Sequence, residues 1–190
     1  MTSGVSSHAS RLHKRPIVAL FDSGALITTA KFSVQGMLVV DHILKCCRLS
    51  IPIEVKRETV DSGLLFGYQD AKELEMRINR GSIAVLDSES RDIELEPVLT
   101  SIGLENVDRT VIHACIRMPK QTKLVTDDHR LFVCAIRLGS SPIFLVDLVV
   151  LLAAKRLIKA ALAAEILHTI QPRYTRGFVE LSVKRLEGVI

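Results

Sequence analysis

The chain has 190 residues, 48% of them apolar, with no Trp and only two Tyr. That length and apolar content fit one domain with a sizeable core and exclude an intrinsically disordered chain, while the aliphatic bias suits buried parallel strands covered by helices. The net charge of +4 is unevenly spread: residues 1–108 carry 12 Lys+Arg against 15 Asp+Glu (net −3), and residues 109–190 carry 13 against 6 (net +7). A basic half beside an acidic one suits a polyanionic ligand, although a solvated basic helix face accounts for any single one of these residues equally well.

Residues 1–15 are Ser-rich and basic, lack the apolar stretch of a signal peptide, and read as a disordered leader. The run Ile17–Phe21 is a strand, followed by a helix over Ser23–Lys31. Apolar residues at Met37, Val40, Ile43 and Leu44 predict a second helix over 34–48, with Cys46 and Cys47 adjacent on it. Pro52 opens a further helix that ends at Gly63, and residues 68–80 form a charged, exposed helix. Ile83–Leu86 is the second strand, a polar loop covers 87–92, and a short helix lies over 97–101. A helix over 107–118 stops before Pro119, and the strand Lys123–Val125 follows. Next come a helix over 127–138 closed by Gly139, a strand over 142–146, and a helix over 147–155 with Asp147 as its N-cap. Ala160–Ile170 is helical, Gln171-Pro172 is a break, and 177–190 is a last helix. Strands alternating with helices predict a three-layer α/β/α sandwich with a central parallel sheet.

The longest apolar run, 142–154, is 13 residues and contains Asp147, too short to span a bilayer. The four cysteines include no C-x-x-C pair and no zinc-type spacing, which favours reduced thiols in a cytoplasmic setting.

Four acidic residues stand where a strand ends or a helix turns inward: Asp22, Glu58, Asp108 and Asp128. Carboxylates at the C-terminal ends of parallel strands converge in the crevice where α/β folds place their sites. Hard oxygen donors without His or Cys suit Mg²⁺ or Mn²⁺, which points to a metal-dependent hydrolase. No Gly-x-Ser-x-Gly elbow and no Gly-rich phosphate loop are present, and Gly24 stands where an aspartyl phosphatase would carry its second Asp.

Four segments resemble PIN-domain nucleases. Leu20-Phe21-Asp22-Ser23-Gly24 resembles the opening strand-turn of that family, and 51–58, from Ile51-Pro52 to Glu58, its second motif. Glu105-Asn106-Val107-Asp108 resembles the third motif and Leu124-Val125-Thr126-Asp127-Asp128 the fourth, so the likeness covers roughly 16–160 and leaves 161–190 as a C-terminal helical extension. The resemblance implies a Mg²⁺/Mn²⁺-dependent ribonuclease, often a homodimer and, among the VapC-type toxins, paired with an antitoxin. Carried over, Asp22, Glu58, Asp108 and Asp128 hold the metal, while Ser23 and Thr126 orient carboxylates or water through their hydroxyls. Asp127 is an accessory residue or helix cap, and Glu105 a substitute or aid for Asp108. Gly24 replaces the Ser or Asn often found at that place. Arg130 and the cation–aromatic stretch containing Arg173 and Arg176 are candidate nucleic-acid contacts, the latter equally suited to packing against a partner. His113 reads as a core or interface histidine and His129 as a solvent-facing one. The alternative function is a non-catalytic RNA-binding or scaffold module on the same fold.

Overall fold

Five parallel strands make the central sheet of the computed structural model, in which residues 15–87 and 91–188 are described. In chain order, β1 (Ile17–Phe21) leads into α1 (Ser23–Lys31), the antiparallel hairpin β2 (Ser33–Val34) and β3 (Met37–Leu38), and α2 (Val39–Leu44). β4 (Cys47–Pro52) follows, then a continuous helical stretch of α3 (Ile53–Lys56), a π turn (Arg57–Asp61) and α4 (Ser62–Leu65). α5 (Gln69–Asn79) leads to β5 (Ile83–Leu86), and α6 (Leu95–Ser101) and α7 (Asn106–Arg117) cross back to β6 (Lys123–Val125). α8 (His129–Arg137) connects to β7 (Ser141–Ile143). α9 (Leu145–Ala154), α10 (Ala160–Ile170), a 3₁₀ turn (Gln171–Arg173) and α11 (Arg176–Leu186) are the last described elements.

The spatial order is β5-β4-β1-β6-β7, every pairing parallel, with helices on both faces of the sheet as a three-layer α/β/α sandwich. Chain order along the sheet reverses between β1 and β6. Such a switch point leaves a crevice at the strands' C-terminal ends, because the two flanking connections depart in opposite directions. Phe21 pairs with Val125, so the residues that follow, Asp22 and Thr126, emerge side by side. Ala19, Leu20 and Phe21 of β1 are fully buried, as expected for a central strand covered on both faces. Among the described residues no helix is long and apolar enough to cross a membrane.

Several sequence expectations need correction. The helix expected over 34–48 is instead a hairpin, a six-residue helix and the start of β4. Gln35 and Gly36 take positive φ values of 52° and 76°, the geometry of a two-residue primed hairpin turn, which stops a helix at that point. β4 was not expected, because its buried residues Cys47, Leu49, Ser50 and Ile51 continue an apolar pattern begun in α2. Cys47 is therefore in a strand and Cys46 in the turn before it; Cys46, Cys47, Cys115 and Cys134 are all buried and unpaired with one another. The helix after Pro52 runs past Gly63 to Leu65. Asp147 does not cap α9, which begins at Leu145 and has Phe144 in the cap position; it lies in the first turn and pairs with Arg185 at 2.5 Å. The strand expected over 142–146 is Ser141–Ile143, where Pro142 is tolerated at the sheet edge.

The stretch 161–190 shares the core, with Ala163, Ile166, Leu167, Ile170 and Val179 buried in the same apolar cluster as β1. Of the leader expected over 1–15, only Arg15 falls within the described residues, where it is exposed; residues 1–14 lie outside them, as do parts of the 87–92 loop and the end of the last helix.

Candidate functional site

Asp22 sits at the switch point as the N-cap of α1, with an extended backbone (φ −81°, ψ 174°) that turns its carboxylate toward the helix amides. Its Oδ1 accepts the Ala25 amide at 2.8 Å, and its Oδ2 accepts the Thr126 hydroxyl. The residue is only 5% exposed. Burial pushes its carboxyl up to about 7; the Thr126 and Ala25 hydrogen bonds oppose that rise, and the charges of Asp127 and Asp108 add to it. A Cβ on Gly24 would meet Asp22 Oδ1 at 3.9 Å, an ordinary contact.

Thr126, fully buried at the end of β6, has both hydrogen-bonding roles fixed: its Oγ1 donates to Asp22 and accepts the Asp128 amide at 3.0 Å. Asp128 is the N-cap of α8, its Oδ1 taking the Leu131 amide at 2.8 Å. α8 thus starts at His129, two residues later than the sequence suggested, because Asp128 caps it from outside. Asp127 faces elsewhere. Its Oδ1 accepts the Leu145 amide at the start of α9 (3.2 Å), and its Oδ2 accepts the Tyr174 hydroxyl (2.5 Å). Burial raises the Asp127 carboxyl, while Tyr174, Leu145 and the Arg173 charge pull it down.

Asp108 is the third residue of α7 and is half-buried. Burial pushes its carboxyl up to about 6, and the charges of Asp128, Glu105 and Glu58 reinforce the shift. Glu105 occupies the N-cap position of α7, exposed and without a capping hydrogen bond. Glu58 lies on the π turn and is exposed, its Oε2 accepting the Ser23 hydroxyl at 2.5 Å. A π turn widens the helix and re-aims its side chains, and such turns recur at functional sites.

Asp108 is the common neighbour: its charge acts on Asp22, and Asp128, Glu105 and Glu58 act on it, while Ser23 binds Glu58 and Thr126 binds Asp22. Of the cations, Arg173 is exposed and acts on Asp127. Arg130 is exposed and donates to the Gly103 carbonyl at 3.3 Å, and Arg176 is engaged with Glu180 at 2.7 Å. His129 is exposed. Tyr174 is the contributor that sequence reasoning missed. The cation–aromatic stretch drew attention to it, but no local pattern signals a hydrogen bond to a residue 47 positions away.

A second polar cluster occupies α6 and α7. Glu96 accepts from His113 Nε2 at 2.8 Å and faces Arg109 at 3.3 Å and Arg91 at 3.5 Å. The Asp92 amide points at His113 Nδ1 from 3.4 Å, which leaves Nε2 as the nitrogen that donates to Glu96. Here burial tends to raise the Glu96 carboxyl, yet His113, Arg91 and Arg109 together hold it below its ordinary value. His113 is buried, as its apolar helix suggested.

The donor set of the first cluster suits a hard divalent cation. Its carboxylates repel one another, and a cation would neutralise them. Among the described residues no three His, Cys, Asp or Glu side chains close into a ligand cage. An ion that keeps several of its waters needs only one or two direct carboxylates. No family model matches the chain, and no curated protein matches it.

Proposed function

We propose that this chain is a PIN-like ribonuclease that hydrolyses phosphodiester bonds with Mg²⁺ or Mn²⁺ held by Asp22, Glu58, Asp108 and Asp128. One observation supports the reading: at the sheet's switch point Asp22 feels the charge of Asp108, and Asp108 those of Asp128 and Glu58, while burial first and these like charges second push Asp22 and Asp108 up to about 7 and 6. A charge arrangement so unfavourable to the isolated protein is what a cation site requires, and strongly shifted carboxylates in a crevice mark functional positions. When bound, the ion lowers the pKa of a water and stabilises charge on the phosphate.

The chain's own residues do the rest. Thr126 fixes Asp22 Oδ2 and the Asp128 backbone in one geometry, and Ser23 holds Glu58 Oε2. Deprotonated Asp22 and Asp108 orient the attacking water and accept its proton. Arg173, exposed beside Asp127, meets the polyanion's phosphates. The homodimer and the antitoxin partner belong to the same proposal through the PIN resemblance, and the cytoplasmic setting through the unpaired cysteines.

The test is cleavage of a single-stranded RNA by the purified chain with Mn²⁺, Mg²⁺ or a chelator, beside a small phosphoester. Metal-dependent cleavage of RNA and not of the small ester is expected. Turnover of the small ester alone would make the protein a phosphatase. RNA binding without cleavage, together with no calorimetric Mn²⁺ binding, would make it a scaffold or RNA-binding module.

A further inference from the structure

Asp127 carries two anchors that have nothing to do with its neighbours in sequence. The Tyr174 hydroxyl reaches its Oδ2 from the connection between the 3₁₀ turn and α11, at 2.5 Å, and the Leu145 amide reaches its Oδ1 from the first residue of α9, at 3.2 Å. Burial and the adjacent Asp127 charge hold the Tyr174 phenol well above its ordinary value, so the phenol is the donor in this pair. Asp127 in turn sits between Thr126 and Asp128, the two residues that tie β6 to the carboxylate cluster.

Tyr174 is itself held in place. Its ring lies 6.5 Å from that of Phe178, Phe178 meets Phe144 edge-on at 5.6 Å, and Phe144 stacks on Phe132 at 4.3 Å with the planes 2° apart. Phe132 stands on the first turn of α8, the helix that Asp128 caps. Half of the chain's eight aromatic residues thus form one connected series from α8 to the C-terminal segment. The Asp127-Asp128 turn is gripped from both sides, by the hydroxyl at one end of that series and by the α8 cap at the other.

We infer that Tyr174 is a positioning residue that acts through Asp127 to fix the turn presenting Asp128, making the C-terminal helices part of the site. The inference rests on the proposed function for what Asp128 does there, and on hydrogen-bond geometry alone for how the turn is held. Partners that orient a metal ligand from behind typically alter metal affinity or activity 10- to 100-fold when removed.

Tyr174→Phe keeps the ring against Phe178 and deletes only the hydroxyl. In metal-free protein, exchange of the Leu145 and Asp128 amides should quicken about tenfold or more while β4 amides stay as in wild type, because the opening is local. The melting midpoint should move little, and calorimetric Mn²⁺ affinity should weaken about 10- to 100-fold. Asp127→Asn should show the same pattern, and the double variant should be no worse than Tyr174→Phe, as expected of two groups in one hydrogen bond. Unchanged exchange at Leu145 and Asp128 in both single variants would overturn the inference, as would fully additive effects in the double variant. A wild-type protein that binds no Mn²⁺ would defeat the nuclease proposal, and the metal-free exchange would still decide the role of Tyr174.

Discussion

Two polar clusters share helix α7, and they are electrostatic opposites. At its first turn burial pushes the Asp108 carboxyl up to about 6, and Asp128, Glu105 and Glu58, all of its own sign, add to the rise. Five residues on, His113 joins Arg109 and Arg91 around Glu96, whose carboxyl lies below its ordinary value in spite of burial. The same residue type, a carboxylate, is thus left without a counter-charge in one place and fully partnered in the other. The partnered cluster carries its own counter-charges and reads as a brace between α6 and α7. The other has no positive partner of its own among the described residues, and under the proposed function a cation from outside the chain would supply it; this contrast, more than the mere presence of acidic residues, is what the proposal rests on.

The sharpest way to break that contrast is Asp22→Asn. The substitution keeps the shape of the N-cap, because Asn accepts the Ala25 amide as well as Asp does, but it removes the charge. Metal-dependent RNA cleavage should fall by about 10³-fold or more, since metal stabilisation of the reaction is worth several kcal/mol. Stability should respond in the opposite sense. The folded value of Asp22, about 7, lies above its ordinary 3.8, so between those limits the folded state binds the proton that the unfolded chain releases. Wild-type stability without metal should therefore fall as pH rises from 4 through 7, by on the order of 4 kcal/mol. Thermal melts in chelator at pH 5 and pH 8 should show this slope in wild type and a flatter one in Asp22→Asn. An equally steep slope in the variant would remove Asp22 as its source.

Glu96→Gln tests the other side of the comparison. Its amide oxygen still accepts from His113, but Arg91 and Arg109 lose a charged partner. The loss should be about 1–3 kcal/mol, read as a lower melting midpoint, with Mn²⁺ affinity unchanged. The sign of the pH effect also reverses: Glu96 contributes stability above its ordinary value of 4.5, and that contribution disappears as pH falls through its lower folded value. Weakened Mn²⁺ binding in this variant would join the two clusters into one system. The smallest effect belongs to Arg173→Ala. RNA affinity should drop modestly and the salt dependence of binding should flatten by about one unit of slope, with Mn²⁺ binding untouched. An unaltered slope would remove Arg173 from the phosphate contacts.

Much of this arrangement could be read from local sequence. Ile17–Phe21 and Ser23–Lys31 were expected with the bounds the structure gives them, because an apolar strand followed by an Asp cap is a local signal. The alternation of strands and helices led correctly to the parallel three-layer sheet. What failed was the boundary between α2 and β4, where helical periodicity runs into a strand with only a two-residue turn between them. Gln35-Gly36 also hid a hairpin, since Gln is an unusual residue at positive φ. The local settings of Asp22, Asp108 and Asp128, at a strand end or a helix start, were legible, and Glu58 falls in the helical stretch after Pro52. Their closeness depends on the strand order, which places β6 against β1. The Tyr174 bond was invisible for the same reason: it is made by the packing of α9, α10 and α11, which no local pattern encodes.

The hydrogen bonds that complete the crevice join residues far apart in the chain: Thr126 reaches Asp22 across 104 positions, and Tyr174 reaches Asp127 across 47. Chains emerge from the ribosome N-terminus first and fold as they emerge. Asp22 is therefore exposed to the cell long before β6 exists to lie beside it, and Tyr174 is still to come when Asp127 appears. A growing chain carries the acidic residues without the crevice. If the chain cuts RNA as proposed, that order of assembly would withhold the crevice from the half-made molecule until its last third is in place.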